Sequence, residues 1–370
     1  MINRSLCAVV LAAGAGTRMR SERPKPLHLL AGRPMVIHVL DSLAELQVEW
    51  VVLVVGHGAE RVVKTLNDAA PAHLPMHYVE QESQNGTGDA VSIALASLPE
   101  RLGDEADDTD ILILPGDTPL LEPATVEALV DQHHMTGAAA TLLTVRAPDP
   151  SGYGRIVRNK RGAVKRIVEE ADASEEEKEI DEVNTSVYCF RTALLGPALR
   201  RITTSNAQHE YYLTDVIEVL SEAGHQVDTL IASDSAQASG VNDRVQLAEA
   251  EVELRCRINE KWMRAGVTLV DPSSTYIDVA VQLSEDVSLL PNTRLQGNTR
   301  VGRSAEIGPD TELVDCWVGE GASVSKTTGH QANIGAGAKV GPFVVLRPGA
   351  EVAPGATIGP FFTAVPQDES

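Results

Sequence analysis

The stretch Leu11-Ala12-Ala13-Gly14-Ala15-Gly16-Thr17-Arg18-Met19 decides how this chain is read. It follows an apolar run over residues 6–11 that reads as a buried parallel strand, so its glycines fall where a strand hands over to the next element. There the chain must turn sharply and let backbone N–H groups approach an anion, which a Cβ at Gly14 or Gly16 would hinder. Four cations, Arg18, Arg20, Arg23 and Lys25, gather here as a local anion site, and Arg18 and Lys25 can supply the charge that backbone dipoles alone lack. The segment reads as a holder of polyphosphate. It is neither a dinucleotide fingerprint nor a phosphate loop: Met19 stands where a third glycine would, and no Gly-Lys-Ser/Thr closes the turn.

Those cations stand out against a formal net charge of −21 over 370 residues, which repels nucleic acid and anionic membrane from most of the surface. A hydrophobic content of 43% suits a globular chain long enough for two domains. No apolar run approaches the ~20 residues that span a bilayer, and no membrane insertion is expected. A cleaved signal peptide would remove the glycine turn, so a cytoplasmic location is expected. Cys7, Cys189, Cys256 and Cys316 are scattered without Cys-x-x-Cys spacing or a neighbouring His, and read as buried, reduced thiols.

Up to about residue 230, strand-like runs at 50–55, 111–114, 139–145 and 183–190 alternate with amphipathic or polar stretches. This predicts a mainly parallel sheet with helices on both faces and ligands beyond the carboxyl ends of its strands. Gly14 and Asp117 both fall at such ends. From 244 to about 264, Val245, Leu247, Val252, Leu254, Ile258 and Trp262 recur among charges with no Pro or Gly, predicting a long connecting helix. Glu175-Glu176-Glu177 reads as a solvated loop or helix start rather than a metal site. Beyond Asp271 the period changes to six: Ile277, Leu283, Leu289, Leu295, Val301, Ile307 and Leu313, then, after a slip through Val318 and Val324, Ile334, Val340, Leu346, Val352 and Ile358. A small or β-branched residue precedes most of them by two positions, and glycines such as Gly302 and Gly335 follow directly. That is the hexapeptide signature of a parallel β-helix with its aliphatic side chains stacked inside. The irregular segment 326–331 predicts an outward loop or longer turn.

If the glycine turn holds a nucleoside triphosphate, a divalent ion is needed, because the phosphate oxygens repel each other and an incoming anionic nucleophile. Asp117, after Pro115-Gly116, is a suitable hard-oxygen ligand or, alternatively, a turn or helix cap before Thr118-Pro119. The segment Gln81-Glu82-Ser83-Gln84-Asn85-Gly86-Thr87-Gly88-Asp89-Ala90 offers an amide and closely approaching backbone that can read a base edge, or an ordinary Asn-Gly turn. Gly152-Tyr153-Gly154-Arg155, Ile167-Val168-Glu169-Glu170, Glu182-Val183-Asn184-Thr185 and Glu210-Tyr211-Tyr212-Leu213-Thr214-Asp215 suit hydroxyl and N-acetyl recognition.

Leu-Ala-Ala-Gly-x-Gly-Thr-Arg-Met with Arg-Pro-Lys-Pro-Leu nearby resembles the signature of sugar-1-phosphate nucleotidyltransferases. Taken in order with Gly240-Val241-Asn242-Asp243, the connecting helix and the hexapeptides, the chain resembles the bacterial bifunctional N-acetylglucosamine-1-phosphate uridyltransferase/glucosamine-1-phosphate acetyltransferase family over nearly its whole length. The resemblance implies an α/β fold in three parts: a Rossmann-like uridylyltransferase domain (1–243), a linker helix (244–266) and a short left-handed parallel β-helix (267–370), with homotrimers formed through the β-helix. It implies that UTP and N-acetylglucosamine-1-phosphate are the substrates and Mg²⁺ the cofactor. Leu11, Ala12, Ala13 and Gly14 would contact the nucleotide through their backbone, and Gln81, Gly86 and Thr87 would read uracil. Arg18 and Lys25 would face the phosphates, and Asp117 with Asn242 would hold Mg²⁺. Gly154, Glu169 and Asn184 would bind the amino sugar, with Tyr212 and Thr214 close by.

Two positions depart from the family pattern: Pro115 stands where Tyr is usual before Gly-Asp, and Ser186 where Gly is usual. Of the family's second active site only Arg347 has a counterpart before the last residue, Ser370, so acetyl transfer is expected to be absent or weak and the coil near Phe361 and Phe362 to fray. A nucleotidyltransferase for another sugar or base, and a non-catalytic assembly protein that only binds a nucleotide, are the alternative readings.

Overall fold

In the strand Ser5–Ala12, side chains alternate between two cores, Leu6, Ala8 and Val10 packing on one face and Cys7 and Val9 on the other. A strand buried on both faces needs helices above and below it. The computed structural model, which describes residues 4–102 and 108–364, supplies them. Helices Met35–Asp41, Ala59–Ala69 and Pro123–Thr136 contribute Val36, Leu66 and Leu129 to one core. Thr87–Ala96, Thr192–Leu199 and Asp215–Glu222 contribute Val91, Leu195 and Val216 to the other. Each such side chain, fully buried, stabilises the fold by about 1.5–3 kcal/mol.

The sheet runs in the order Val227–Ile231, Ala140–Arg146, Glu182–Arg191, Thr109–Pro115, Ser5–Ala12, Val48–Val55, Met76–Glu80. Ser5–Ala12 is parallel to both neighbours, with Leu11 level with Pro115 and Ala12 with Val55. That register delivers the Gly14 turn and Gly116-Asp117 to the same edge, where the Gly116 N–H donates to the Leu11 carbonyl at 2.8 Å. Glu182–Arg191 runs antiparallel to both its neighbours and also pairs with the hairpin Arg155–Arg158/Val164–Val168.

The chain divides into two compact units, Met1–His28 with Pro34–Ala250, and Leu29–Arg33 with Glu251–Ser370. The connecting helix spans Arg244–Arg264. In the second unit, two-, three- and four-residue strands stack in parallel into three sheets. Leu283, Val301, Val318, Ile334 and Val352 form one inward column, and Leu269, Leu289, Ile307, Val324 and Val340 another. This is a left-handed parallel β-helix. The small residues between the columns have a physical reason too: Thr293 and Thr299 are buried, and their hydroxyls donate back to the Leu290 and Gln296 carbonyls at 2.7 Å.

Three expectations need correction or sharpening. Segment 326–331 is no outward loop: Thr327–His330 is a strand in register with Thr311–Val314 and Val344–Leu346. Gly329 takes the column position held by Leu313 and Leu346 on either side, because a Cβ there would lie 2.9 Å from Leu313 Cδ2. Positive-φ corners at Asp315, Lys326 and Gln331 absorb the slip in period. Cys7, Cys189 and Cys316 are buried, but Cys256 lies exposed on the connecting helix. The glutamate run opens a short helix, Glu175–Lys178, where Ser174 and Glu177 cap each other reciprocally.

Candidate functional site

A cavity of about 550 Å³ in the first unit is lined by Leu11, Ala12, Ala13 and Gly14 together with residues from many later segments. Its charged wall is assembled from far apart in sequence. Lys25 begins the short 3₁₀ turn Lys25–Leu27, directly after Pro24. Gly16 makes room for it, having φ 59° and a site for Cβ only 2.6 Å from Lys25 Cβ. The Lys25 ammonium donates to the Asp117 carboxylate and, at 2.9 Å, to Asn242 Oδ1. Arg18 donates to the same Oδ1, also at 2.9 Å.

Backbone contacts fix these oxygens. The Val241 N–H donates to the Asp117 carbonyl at 2.8 Å, and the Asn242 N–H to Gln246 Oε1 at 2.7 Å. Gln246 is itself placed by the helix start, where Asp243 Oδ1 accepts the Val245 and Gln246 N–H groups at 2.9 Å. Asp117 caps no helix: the following one begins at Pro123 with Glu122 as its N-cap, and the intervening turn is closed by the Thr118 hydroxyl on the Pro115 carbonyl. Its side chain is committed to the cavity.

A carboxylate and an amide oxygen thus converge on an ammonium that stands where a cation is wanted. This pair of hard donors fits a small divalent ion that completes its shell with phosphate oxygens and water. Among the described residues there is no cluster of three or more His, Cys, Asp and Glu that could hold a metal ion.

A second group of lining residues, Gln81, Gly86 and Thr87, is uncharged. Buried Gln81 donates through Nε2 to the Gly86 carbonyl at 3.2 Å and to Asp89 Oδ2 at 2.7 Å. Gly86 has φ 108°, and a Cβ there would lie 2.5 Å from the Tyr211 carbonyl oxygen. The turn is pinned to the later chain by Gly88 N–H on the Tyr211 carbonyl and Tyr211 N–H on the Asn85 carbonyl, both 2.8 Å. The Thr87 hydroxyl is engaged as well, accepting the Leu213 N–H at 3.0 Å.

The third group mixes carboxylate, amide and hydroxyls. Glu169 Oε1 accepts the Thr214 hydroxyl at 2.9 Å. Burial pushes the Glu169 carboxyl above the usual carboxylate range, against the lowering effect of that hydrogen bond. Asn184 donates its N–H to the Gly154 carbonyl at 2.8 Å and its Nδ2 to the Tyr188 hydroxyl at 2.7 Å. Ser186, which stands where a glycine was expected, adopts φ 61°, the left-handed conformation that glycine takes without strain. Tyr212 and Thr214 line an adjoining cavity of about 470 Å³ that shares Glu169, Thr87 and Leu11 with the main one.

The structure therefore gathers Leu11, Ala12, Ala13, Gly14, Arg18, Lys25, Gln81, Gly86, Thr87, Asp117, Gly154, Glu169, Asn184 and Asn242 around one cavity. Arg20 and Arg23 are not part of its lining, so two cations rather than four face the ligand space. Arg347 is exposed in the second unit. Gln84 and Gln246 were missed. Gln84 Nε2 holds the Ala13 carbonyl at 3.0 Å across the turn. Gln246 carried a legible signal, since Asp243-Arg244-Val245-Gln246 has the spacing of a helix-capping pair.

The pattern of the MobA-like NTP transferase domain matches residues 8–210. Over 346 residues the chain is 51% identical to the bifunctional protein GlmU of Rhodococcus jostii, covering 92% of this chain and 68% of that protein. It is 48% identical to the GlmU of Mycolicibacterium smegmatis, covering 92% and 70%, and 44% identical to that of a Geobacillus strain, covering 93% and 72%. No helix among the described residues is long and apolar enough to cross a membrane.

Proposed function

This chain belongs to the GlmU family of bifunctional proteins, and from that premise we propose that it transfers uridylyl from UTP to N-acetylglucosamine-1-phosphate, giving UDP-N-acetylglucosamine and pyrophosphate. The convergence of Lys25, Arg18, Asp117 and Asn242 on one wall of the cavity carries this reading. An oxygen of the sugar phosphate, ionised near neutral pH, attacks the α-phosphorus of UTP. As that P–O bond forms, the bond from the α-phosphorus to the bridging oxygen breaks, and the pyrophosphate departs with its electron pair. No general base is required, and the residues act by position and charge.

Leu11, Ala12, Ala13 and Gly14 bring backbone to the nucleotide, and Gln81, Gly86 and Thr87 read the uracil. Glu169, Asn184 and Gly154 hold the amino sugar, with Tyr212 and Thr214 in the adjoining space. Asp117 and Asn242 offer the oxygens for Mg²⁺, which when bound neutralises phosphate charge and lowers the barrier to displacement. Lys25 and Arg18, which meet these oxygens at the same wall, would direct their charge to the departing pyrophosphate.

The same reading assigns residues 1–243 to uridylyl transfer and 267–370 to assembly as a trimer through the β-helix, joined by the helical linker at 244–266, in the cytoplasm. The test is pyrophosphate release with N-acetylglucosamine-1-phosphate, Mg²⁺ and a panel of nucleoside triphosphates. UTP is expected to be preferred at least about tenfold in kcat/KM over CTP, since a mismatched polar edge leaves buried groups unpaired. Turnover with GTP or dTTP in preference to UTP would move the assignment to another base.

A further inference from the structure

Gln81 is 5% exposed, lines the cavity, and spends its amide nitrogen inside the protein, on the Gly86 carbonyl at 3.2 Å and on Asp89 Oδ2 at 2.7 Å. Both of those partners are pure acceptors, one a carbonyl and the other a carboxylate. Turned over by half a rotation, the amide would set its own oxygen against two oxygens and lose both hydrogen bonds. The amide therefore has one stable orientation, and Oε1 is the hydrogen-bonding atom it has left to offer to the cavity. Asp89 reaches it from the first turn of the helix Thr87–Ala96, three residues beyond the Gly86 turn.

We propose that Asp89 is a specificity-determining positioning residue: by holding Gln81 with Oε1 toward the cavity, it makes the base subsite an acceptor that admits a ring edge bearing an N–H and rejects one bearing a lone pair. This rests on the uridylyltransferase reading. Uracil carries an N–H at its N3 position where cytosine carries an acceptor, so the polarity of the Gln81 amide decides between two pyrimidines of nearly equal shape. Asp89 acts through Gln81, without contact to the reacting atoms.

The test compares kcat/KM for UTP and CTP, by pyrophosphate release, in the parent 370-residue chain and in Asp89→Ala, Asp89→Asn, Gln81→Ala and the Asp89→Ala/Gln81→Ala double variant. Removing the carboxylate takes away the shorter of the two hydrogen bonds and leaves the amide held by the 3.2 Å contact to the Gly86 carbonyl alone, so Asp89→Ala is expected to lower the UTP:CTP ratio about tenfold, with CTP turnover rising and the melting temperature within about two degrees of the parent. Asp89→Asn keeps an acceptor within reach and should retain most of the preference. In the Gln81→Ala background, loss of Asp89 should change the ratio no further. A merely structural role would lower both nucleotides together, leave the ratio unmoved and overturn the proposal. So would an additional drop in the ratio in the double variant. A parent protein that forms no pyrophosphate from UTP would instead overturn the functional reading, and this inference with it.

Discussion

Gly14 lies just past the end of the strand Ser5–Ala12 and Gly335 directly follows the strand Asn333–Ile334, yet their surroundings are opposite. A Cβ built on Gly14 meets no atom of the protein within 4 Å, whereas one on Gly335 would lie 2.4 Å from the Pro354 nitrogen of the next coil. At Gly14, glycine leaves space that the chain itself does not fill. At Gly335, it lets one coil lie against another. The polar groups follow the same division: Lys25, Asp117 and Asn242 are paired with one another at the edge of an open cavity, while the buried threonines of the β-helix satisfy themselves on corner carbonyls of their own coils. One unit is built to be completed by a ligand, the other by its own repetition.

The sharpest way to break that contrast is to place the same side chain at both glycines. Gly335→Val forces a backbone clash that no rotamer relieves, and should destabilise the β-helix by about 4 kcal/mol or more, seen as a lowered or lost thermal transition. Gly14→Val should melt like the parent and lose UTP binding by titration calorimetry. Similar melting of both variants would erase the distinction. Next in size, Lys25→Ala removes a charge aimed at phosphate and should slow pyrophosphate release about a hundredfold, equivalent to ~3 kcal/mol. Loss of stability in step with activity would assign Lys25 to the scaffold.

A smaller effect separates ligand chemistry from folding electrostatics. Burial, with the charges of Glu218, Glu169 and Asp172, pushes the Asp215 carboxyl up to about 6. The folded protein then keeps this proton over a range where the unfolded chain has lost it. The carboxyl's stabilising contribution is complete below its ordinary value of 3.8, falls as pH rises to about 6, and is absent above. Asp215→Asn should raise the melting temperature by a few degrees at pH 7.5 and leave it unchanged near pH 4. A gain of equal size at both values would remove titration as the cause.

How far the sequence could be read follows the same division. The apolar run of residues 6–11, the glycine turn and the six-residue period are local signals, and they located the strand ends, the turn at the cavity and the β-helix columns. The meeting of Asn242 with Arg18 and Lys25 depends on contacts between distant segments and entered only through resemblance. The direction of the Gln81 amide has no signature in periodicity. Segment 326–331 was misjudged because Gly329 interrupts the aliphatic pattern while still occupying the column, and its coil is shortened at three positive-φ corners. Arg20 and Arg23 show the limit of charge counting: proximity in sequence to Arg18 and Lys25 did not bring them to the cavity.

The most direct test of uridylyl transfer is to follow the α-phosphorus. UTP carrying a radioactive α-phosphate, incubated with N-acetylglucosamine-1-phosphate and Mg²⁺, should yield UDP-N-acetylglucosamine holding all the label and an equal amount of unlabelled pyrophosphate, with Asp117→Asn slowing both at limiting Mg²⁺. A parent protein that binds UTP yet leaves the label in the triphosphate, or forms labelled product at the same rate as Asp117→Asn under limiting Mg²⁺, would contradict the account.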